Sequence, residues 1–182
     1  MKGKTGKLAV DAVLAAMCAV LGALALDFNS IKITLESFPV LLGALLFGPL
    51  DGAAVGLVGT LLYQLIRYGV SVTTPLWIVP YVLAGLLAGV YAKRRGFSLT
   101  VRQTVAAAAA AEILITALNT FVMLLDAKIY GYYFPGFISA MLLPRCAVCA
   151  IKSVAFGLTL PRVCAAVRPV LSAREEKDHG TS

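Results

Sequence analysis

Long apolar runs, separated by short polar or glycine- and proline-rich breaks, divide the chain into segments. The first run, from Leu8 to Leu26, follows three lysines at Lys2, Lys4 and Lys7. It exceeds the ~7 to 15 apolar residues of a cleaved leader, and Asp11 interrupts its start, so a retained first span is expected. In DFNSIKITLESF, apolar Ile31, Ile33 and Leu35 then alternate with Lys32, Thr34 and Glu36. That period of two predicts an extended loop with one face against protein. A short second helix is expected from Pro39 to Phe47. The punctuation Gly48-Pro49-Leu50-Asp51-Gly52 predicts a tight turn into a third helix ending near Ile66.

After the polar stretch Tyr68 to Pro75, a fourth helix should run from Leu76 to Tyr91. Pro80 falls near its first turns, where a missing donor is tolerated. Lys93-Arg94-Arg95-Gly96 ends it. A fifth helix is expected from Gln103 to Leu125, through the alanine run 106 to 111. Asp126 to Gly136 reads as a third loop, with Tyr130, Tyr132 and Tyr133. The sixth helix begins near Phe137 and should bend around Pro144 and Pro161. The expected organisation is a single six-helix membrane domain over 1–170 and a flexible charged cytoplasmic tail over 171–182.

Composition agrees with that segmentation. Of 182 residues, 60% are hydrophobic and 14% charged, with a mean hydropathy of +0.89. This exceeds what a soluble core of such length can hide. At ~20 apolar residues per span, the chain has room for roughly six spans and no soluble domain. The expected fold is therefore all-α, an integral membrane bundle of six transmembrane helices.

The net charge of +7 acts first as a topology signal. With six spans, Lys2, Lys4, Lys7, Lys93, Arg94, Arg95, Arg102, Arg162, Arg168, Arg174 and Lys177 share one side. Only Lys32, Arg67 and Lys128 fall opposite. Both termini should then be cytoplasmic. Basic residues scattered at helix ends, without a soluble fold, argue against nucleic-acid binding. They do suit an anionic lipid surface.

The segment PRCAVCAIK, residues 144 to 152, carries a CxxC in apolar surroundings. A redox CxxC needs a partly exposed helix N-terminus, and zinc needs four converging ligands. Cys18, Cys146, Cys149 and Cys164 all fall in apolar helices, and the single histidine, His179, is in the tail. The thiols read as small hydrophobes, with no metal or cofactor implied.

The charges need more explanation. An ionisable group at the centre of a membrane helix costs about 2.5 to 3.5 kcal/mol even on the lenient insertion scale. At ~1.5 Å per residue, Arg145 lies roughly 10 Å below the outer end of the sixth helix and Lys152 roughly 20 Å. Glu112 matches Lys152 in depth, which predicts a structural ion pair. Asn119, Gln64 and Arg67 match Arg145. Together with Trp77, Tyr68, Tyr81 and the loop tyrosines, these predict an outward pocket with excess positive charge, suited to an aromatic anion. Each aromatic alone also reads as an interface anchor.

Small residues four apart recur at Ala12/Ala16, Ala15/Ala19, Ala19/Ala23, Gly52/Gly56 and Gly85/Gly89. Such spacing permits close helix approach in lipid, either internally or with a partner.

The order of these features resembles the substrate-binding S components of energy-coupling factor (ECF) vitamin transporters. The resemblance rests chiefly on IKITLESFPVLLGALLFGPLDGAAVGLVG, residues 31 to 59, with its extended loop, Phe-Pro helix start, LLFGP turn and glycine-rich third helix. Pro144-Arg145 is similar to a Pro-Arg in the last helix of folate-type members. The likeness covers about Leu8 to Pro161.

It implies a six-helix, multi-pass cell-membrane protein that binds a vitamin near the outer face. It also implies docking onto a membrane coupling subunit driven by two cytosolic ATPase subunits. Ala12, Ala15, Ala16, Ala19 and Ala23 would be the docking alanines, and Arg145 the anion contact. A folate-like ligand could stack on Trp77 or a tyrosine while its carboxylates pair with arginine. RYGVSVTTPLWIVPYV departs from the folate-type pattern, and Val148 stands where a basic residue follows Pro-Arg by three. Other vitamins or precursors, such as pantothenate, thiamine, riboflavin or a queuosine precursor, thus stay open.

Competing classes lack parts. There is no HExxH, GxSxG or clustered histidine for an intramembrane enzyme, and no P-loop for an intrinsic ATPase. A stand-alone secondary transporter would be expected to show repeated halves, and no such repeat is evident.

Overall fold

The computed structural model describes residues 2–24, 26–28 and 31–179, without side-chain detail at 2–5, 26–28, 31–33 and beyond Pro169. Among the described residues six helices follow one another in alternating directions: α1 Lys2–Ala23, α2 Ser37–Phe47, α3 Pro49–Tyr68, α4 Thr74–Arg94, α5 Val101–Ile129 and α6 Phe137–His179. Five are long and apolar enough to cross a membrane, α2 being the exception. Between α1 and α2, β1 (Leu26–Phe28) and β2 (Ile31–Ile33) pair antiparallel, with Leu26 opposite Ile33. The extended backbone expected from the alternating pattern is thus a small hairpin; which way its side chains face lies outside the described residues. Helix α6 continues to His179, through most of the stretch expected as a tail. Residues 180 to 182 lie outside the described residues.

The short α2 organises the bundle. A helix apolar on all sides is stable only when surrounded by protein, and Val40, Leu41, Ala44 and Leu45 of α2 are essentially sealed from solvent. Pro49 opens α3 where an absent N–H costs nothing. Gly48 before it adopts φ +115°, a conformation that disfavours a side chain. Lys7 of α1 pairs with Asp51 at 2.8 Å, fixing this turn against the start of α1. The turn also faces the α4–α5 connection, since Gly48 lies beside the Phe97 ring. Both connections therefore occupy one end of the bundle. The β-hairpin and the α3–α4 and α5–α6 loops occupy the other.

Helices α3 and α4 interlock backbone to backbone. A Cβ at Gly85 would sit 2.5 Å from the Gly52 carbonyl, one at Gly56 would sit 2.9 Å from the Tyr81 carbonyl oxygen, and one at Gly89 would sit 2.4 Å from Pro49 Cα. The Gly52/Gly56 and Gly85/Gly89 pairs therefore serve internal packing. Large apolar side chains such as Val13, Val20, Ile113, Leu143, Ile151 and Val154 point outward, as a lipid-facing surface requires.

Candidate functional site

Helix α2 has 11 residues and α3 has 20. At ~1.5 Å per residue α2 is roughly 13 Å shorter. Residues 34 to 36 must make up that depth by descending into the bundle. Their descent brings Glu36, buried to 3% exposure, into the wall of a cavity of about 480 Å³. The cavity opens at the hairpin end and draws its walls from that segment, α3, α4, α5, α6 and two loops.

One wall is a chain of hydrogen bonds. Asn119 Nδ2 of α5 donates to Tyr81 Oη of α4 at 3.3 Å. Tyr81 donates its own proton to Glu36 Oε1. Thr34 Oγ1 donates to the same carboxylate oxygen at 3.0 Å. Because Tyr81 donates to a carboxylate, its oxygen is left as an acceptor, which fixes the Asn119 amide with Nδ2 toward Tyr81. Asn119 Oδ1 is buried and has no hydrogen-bond partner among the described residues. It is a free acceptor in the cavity wall.

The opposite wall comes from α6. Arg145, half-buried, donates from Nη2 to Met123 Sδ of α5 at 3.0 Å. Its guanidinium meets a weak thioether acceptor and forms no ion pair with a carboxylate among the described residues. Two turns deeper, Lys152 Nζ lies 2.9 Å from Glu112 Oε2, with side-chain exposures of 7% and 1%. The ion pair expected from matched depth is present, and Lys152 additionally faces the cavity floor.

At the mouth, Asp126 near the end of α5 accepts a hydrogen bond from Thr73 Oγ1 at 2.6 Å and another from Tyr132. This carboxylate thus ties the α3–α4 and α5–α6 connections together. Partial burial and the adjacent Asp126 carboxylate push the Tyr132 phenol up to about 12.

Of the residues expected to form the pocket, Arg145, Asn119, Gln64, Trp77, Tyr68 and Tyr81 all line it. Arg67 does not, and its side chain is exposed. The physical reason is helical phase: Gln64 and Tyr68, four apart, share the inward face, and Arg67 falls beside it. Sequence reasoning missed Glu36, Tyr63, Thr73, Met123 and Asp126. The sequence pattern assigns Glu36 and Asp126 to loops; a signal exists in that each is an acidic residue beside an apolar helix. Their presence overturns the expectation of excess positive charge, since two carboxylates and two cations line the cavity.

The candidate docking alanines divide by the same periodicity. Ala15 and Ala19 are buried inside the chain, with the Ala15 carbonyl and Cys18 against Gly59 of α3. Ala12 and Ala16 are exposed and Ala23 half-buried. All four cysteines are free thiols, Cys18 and Cys164 in the core, and none lines the cavity.

The sequence profile of the ECF transporter substrate-specific component matches residues 6–163. The chain belongs to this family. ECF S components are multi-pass plasma-membrane proteins that bind a vitamin and pair with a module of coupling and ATPase subunits. They are binding subunits rather than enzymes. No curated protein matches the chain in sequence.

Among solved structures it is similar to FolT bound with folic acid, at 21% identity and TM-score 0.64, covering 86% of this chain and 94% of FolT. It is also similar to an S component for biotin from an ECF-type ABC transporter, at 17% identity and TM-score 0.63, covering 88% and 91%. ThiT from Listeria monocytogenes gives 19% identity and TM-score 0.63, covering 92% and 98%. At these identities the likeness establishes the fold of this S component.

Proposed function

We propose that this S component binds a folate-like vitamin, a flat amino-heterocycle bearing an anionic arm. The observation that carries the reading is Arg145, a cavity-lining cation that donates its hydrogen bond to a thioether. A ligand carboxylate would replace that weak contact with a charge-assisted, bidentate one. Trp77, Tyr63 and Tyr68 supply aromatic walls. Asn119 Oδ1, Glu36 and Asp126 supply acceptors for the N–H groups of an aminated ring. The volume of about 480 Å³ lies within the range of small-molecule sites. FolT, solved with folic acid, is a structural neighbour consistent with this chemistry.

A second reading has its own support. Glu36 and Asp126 would also suit a cationic heterocycle such as thiamine.

Both termini are taken as cytoplasmic, which turns the cavity outward. Ala12, Ala16 and Ala23 are taken as the part of α1 that meets the membrane coupling subunit, with two cytosolic ATPases beneath it. Trp77 is the sole tryptophan and lines the cavity, so its fluorescence reports occupancy. The test is titration of the purified protein with folate, thiamine, riboflavin, pantothenate, biotin and a queuosine precursor. Saturable quenching by folate at the lowest concentration is expected. Preference for thiamine would select the second reading, and no response to any of the panel would reject both.

A further inference from the structure

A second hollow, of about 490 Å³, lies between α4 and α5, away from the vitamin cavity. Its lining is apolar apart from Tyr91, with Ala84, Leu87 and Ala88 from α4 facing the alanines of α5. The alanine run explains the hollow. Ala106, Ala107, Ala110 and Ala111 recur on one helical face, where a Cβ is all that fills the space between two helices. Ala106 and Ala110 are exposed, so the hollow opens sideways, toward the surface that meets lipid.

Its length and its ends identify what fits. From Ala106 to Leu114 the groove extends roughly 12 Å along the helix axis, close to the ~15 Å depth of one leaflet's hydrocarbon. At its end stand Lys93 and Arg94 in the last turn of α4, Arg95 just after it and Arg102 in the first turn of α5, all exposed. None of the four is ion-paired with a carboxylate among the described residues. Arg95 stacks over the ring of Tyr91, 5.6 Å from its centroid, and Tyr91 is itself part of the groove lining. Cationic head and apolar slot are therefore contiguous.

We propose that the α4–α5 groove is a binding site for an anionic phospholipid, with an acyl chain along the alanine face and the phosphate held by Arg94, Arg95 and Arg102. A zwitterionic lipid would fill the slot equally well but meet no net attraction at the arginines. The site is separate from the vitamin cavity and independent of which vitamin that cavity holds.

The test is native mass spectrometry of the delipidated full chain, titrated separately with dioleoyl-phosphatidylglycerol and dioleoyl-phosphatidylcholine. The native protein should retain the anionic lipid at roughly hundredfold lower concentration, the product of the three arginines' contributions. Combined Arg94→Gln, Arg95→Gln and Arg102→Gln, at exposed positions where folding is unaffected, should remove that preference, at roughly fivefold per arginine. Ala110→Phe, which fills the exposed slot, should weaken retention of both lipids. Arg162→Gln with Arg168→Gln, basic residues of α6 outside the groove, should change neither. Equal retention of the two lipids by the native protein would overturn the proposal. So would a preference that survives the triple substitution, or one lost in the α6 pair instead.

Discussion

The Glu112–Lys152 pair allows a quantitative test of what Lys152 is for. The two groups lie 2.9 Å apart at 1% and 7% side-chain exposure, and breaking such a pair from one side costs about 3–5 kcal/mol. The two sides are not equivalent. Glu112 does not line the cavity, whereas Lys152 does and also lies 5.7 Å from the centroid of the Phe156 ring. Lys152→Met strands a sealed carboxylate and should fall near the upper end, about 5 kcal/mol. Glu112→Leu leaves an ammonium that can turn toward the cavity, nearer 3 kcal/mol. For a chain of this length each kcal/mol moves Tm by about 2–4 °C, so the losses should be roughly 10–20 °C and 6–12 °C. The double variant Glu112→Leu with Lys152→Met removes both charges and should recover most of the loss, because a buried pair is replaceable by apolar groups at little cost. Thermal unfolding in detergent reads all three, and Trp77 fluorescence reads vitamin binding in parallel. Additive losses would refute the scaffold reasoning. An unchanged Tm with vitamin affinity reduced more than tenfold in Lys152→Met would reassign the lysine to the ligand.

Other outcomes follow from the same geometry. Arg145→Ala should weaken a carboxylated vitamin by about tenfold to hundredfold, the equivalent of 1.5–3 kcal/mol for a charge-assisted hydrogen bond, while Cys146→Ala with Cys149→Ala leaves binding unchanged in the same titration. Gly85→Ala forces a methyl group to within 2.5 Å of the Gly52 backbone and should lower stability by about 1–3 kcal/mol through overpacking, read as a Tm shift. The Tyr132 phenol should titrate at about 12 by ultraviolet absorbance and move back toward the ordinary tyrosine range in Asp126→Asn. Since its folded pKa is raised, its contribution to loop closure is complete below the ordinary tyrosine value of about 10 and is lost as pH rises through about 12. Ala16→Leu, on the exposed side of α1, should leave vitamin binding intact and reduce co-purification with the coupling and ATPase subunits.

The positions of the helices were legible because each depends on local physics. Apolar runs of membrane-crossing length, Pro49 after Gly48 and the basic cluster at 93 to 95 mark boundaries that no tertiary contact has to supply. Depth along a helix is likewise a sequence quantity, so matching Lys152 with Glu112 required only residue counting.

The wall of the site was less accessible. Arg67 is three residues from Gln64 in sequence, yet the packing phase of α3 turns Gln64 inward and leaves Arg67 exposed. Ala15 and Ala19 have the same spacing as Ala12 and Ala16, and only the packing of α1 against the rest of the bundle, with Ala15 against Gly59 of α3, decides which pair is buried. Glu36 lies in a segment whose pattern specifies extended backbone but says nothing of depth. What sends it into the cavity is the mismatch in length between α2 and α3.

Hydropathy, turn chemistry and residue spacing by themselves thus determine a membrane bundle of six helices and the cations that need a purpose. The tertiary structure decides the cavity's charge balance, because carboxylates far apart in the chain, Glu36 and Asp126, converge with Arg145 only when four helices and the segment before α2 close around one space. Such convergence depends on helix rotation and length differences, quantities that a one-dimensional pattern constrains only weakly.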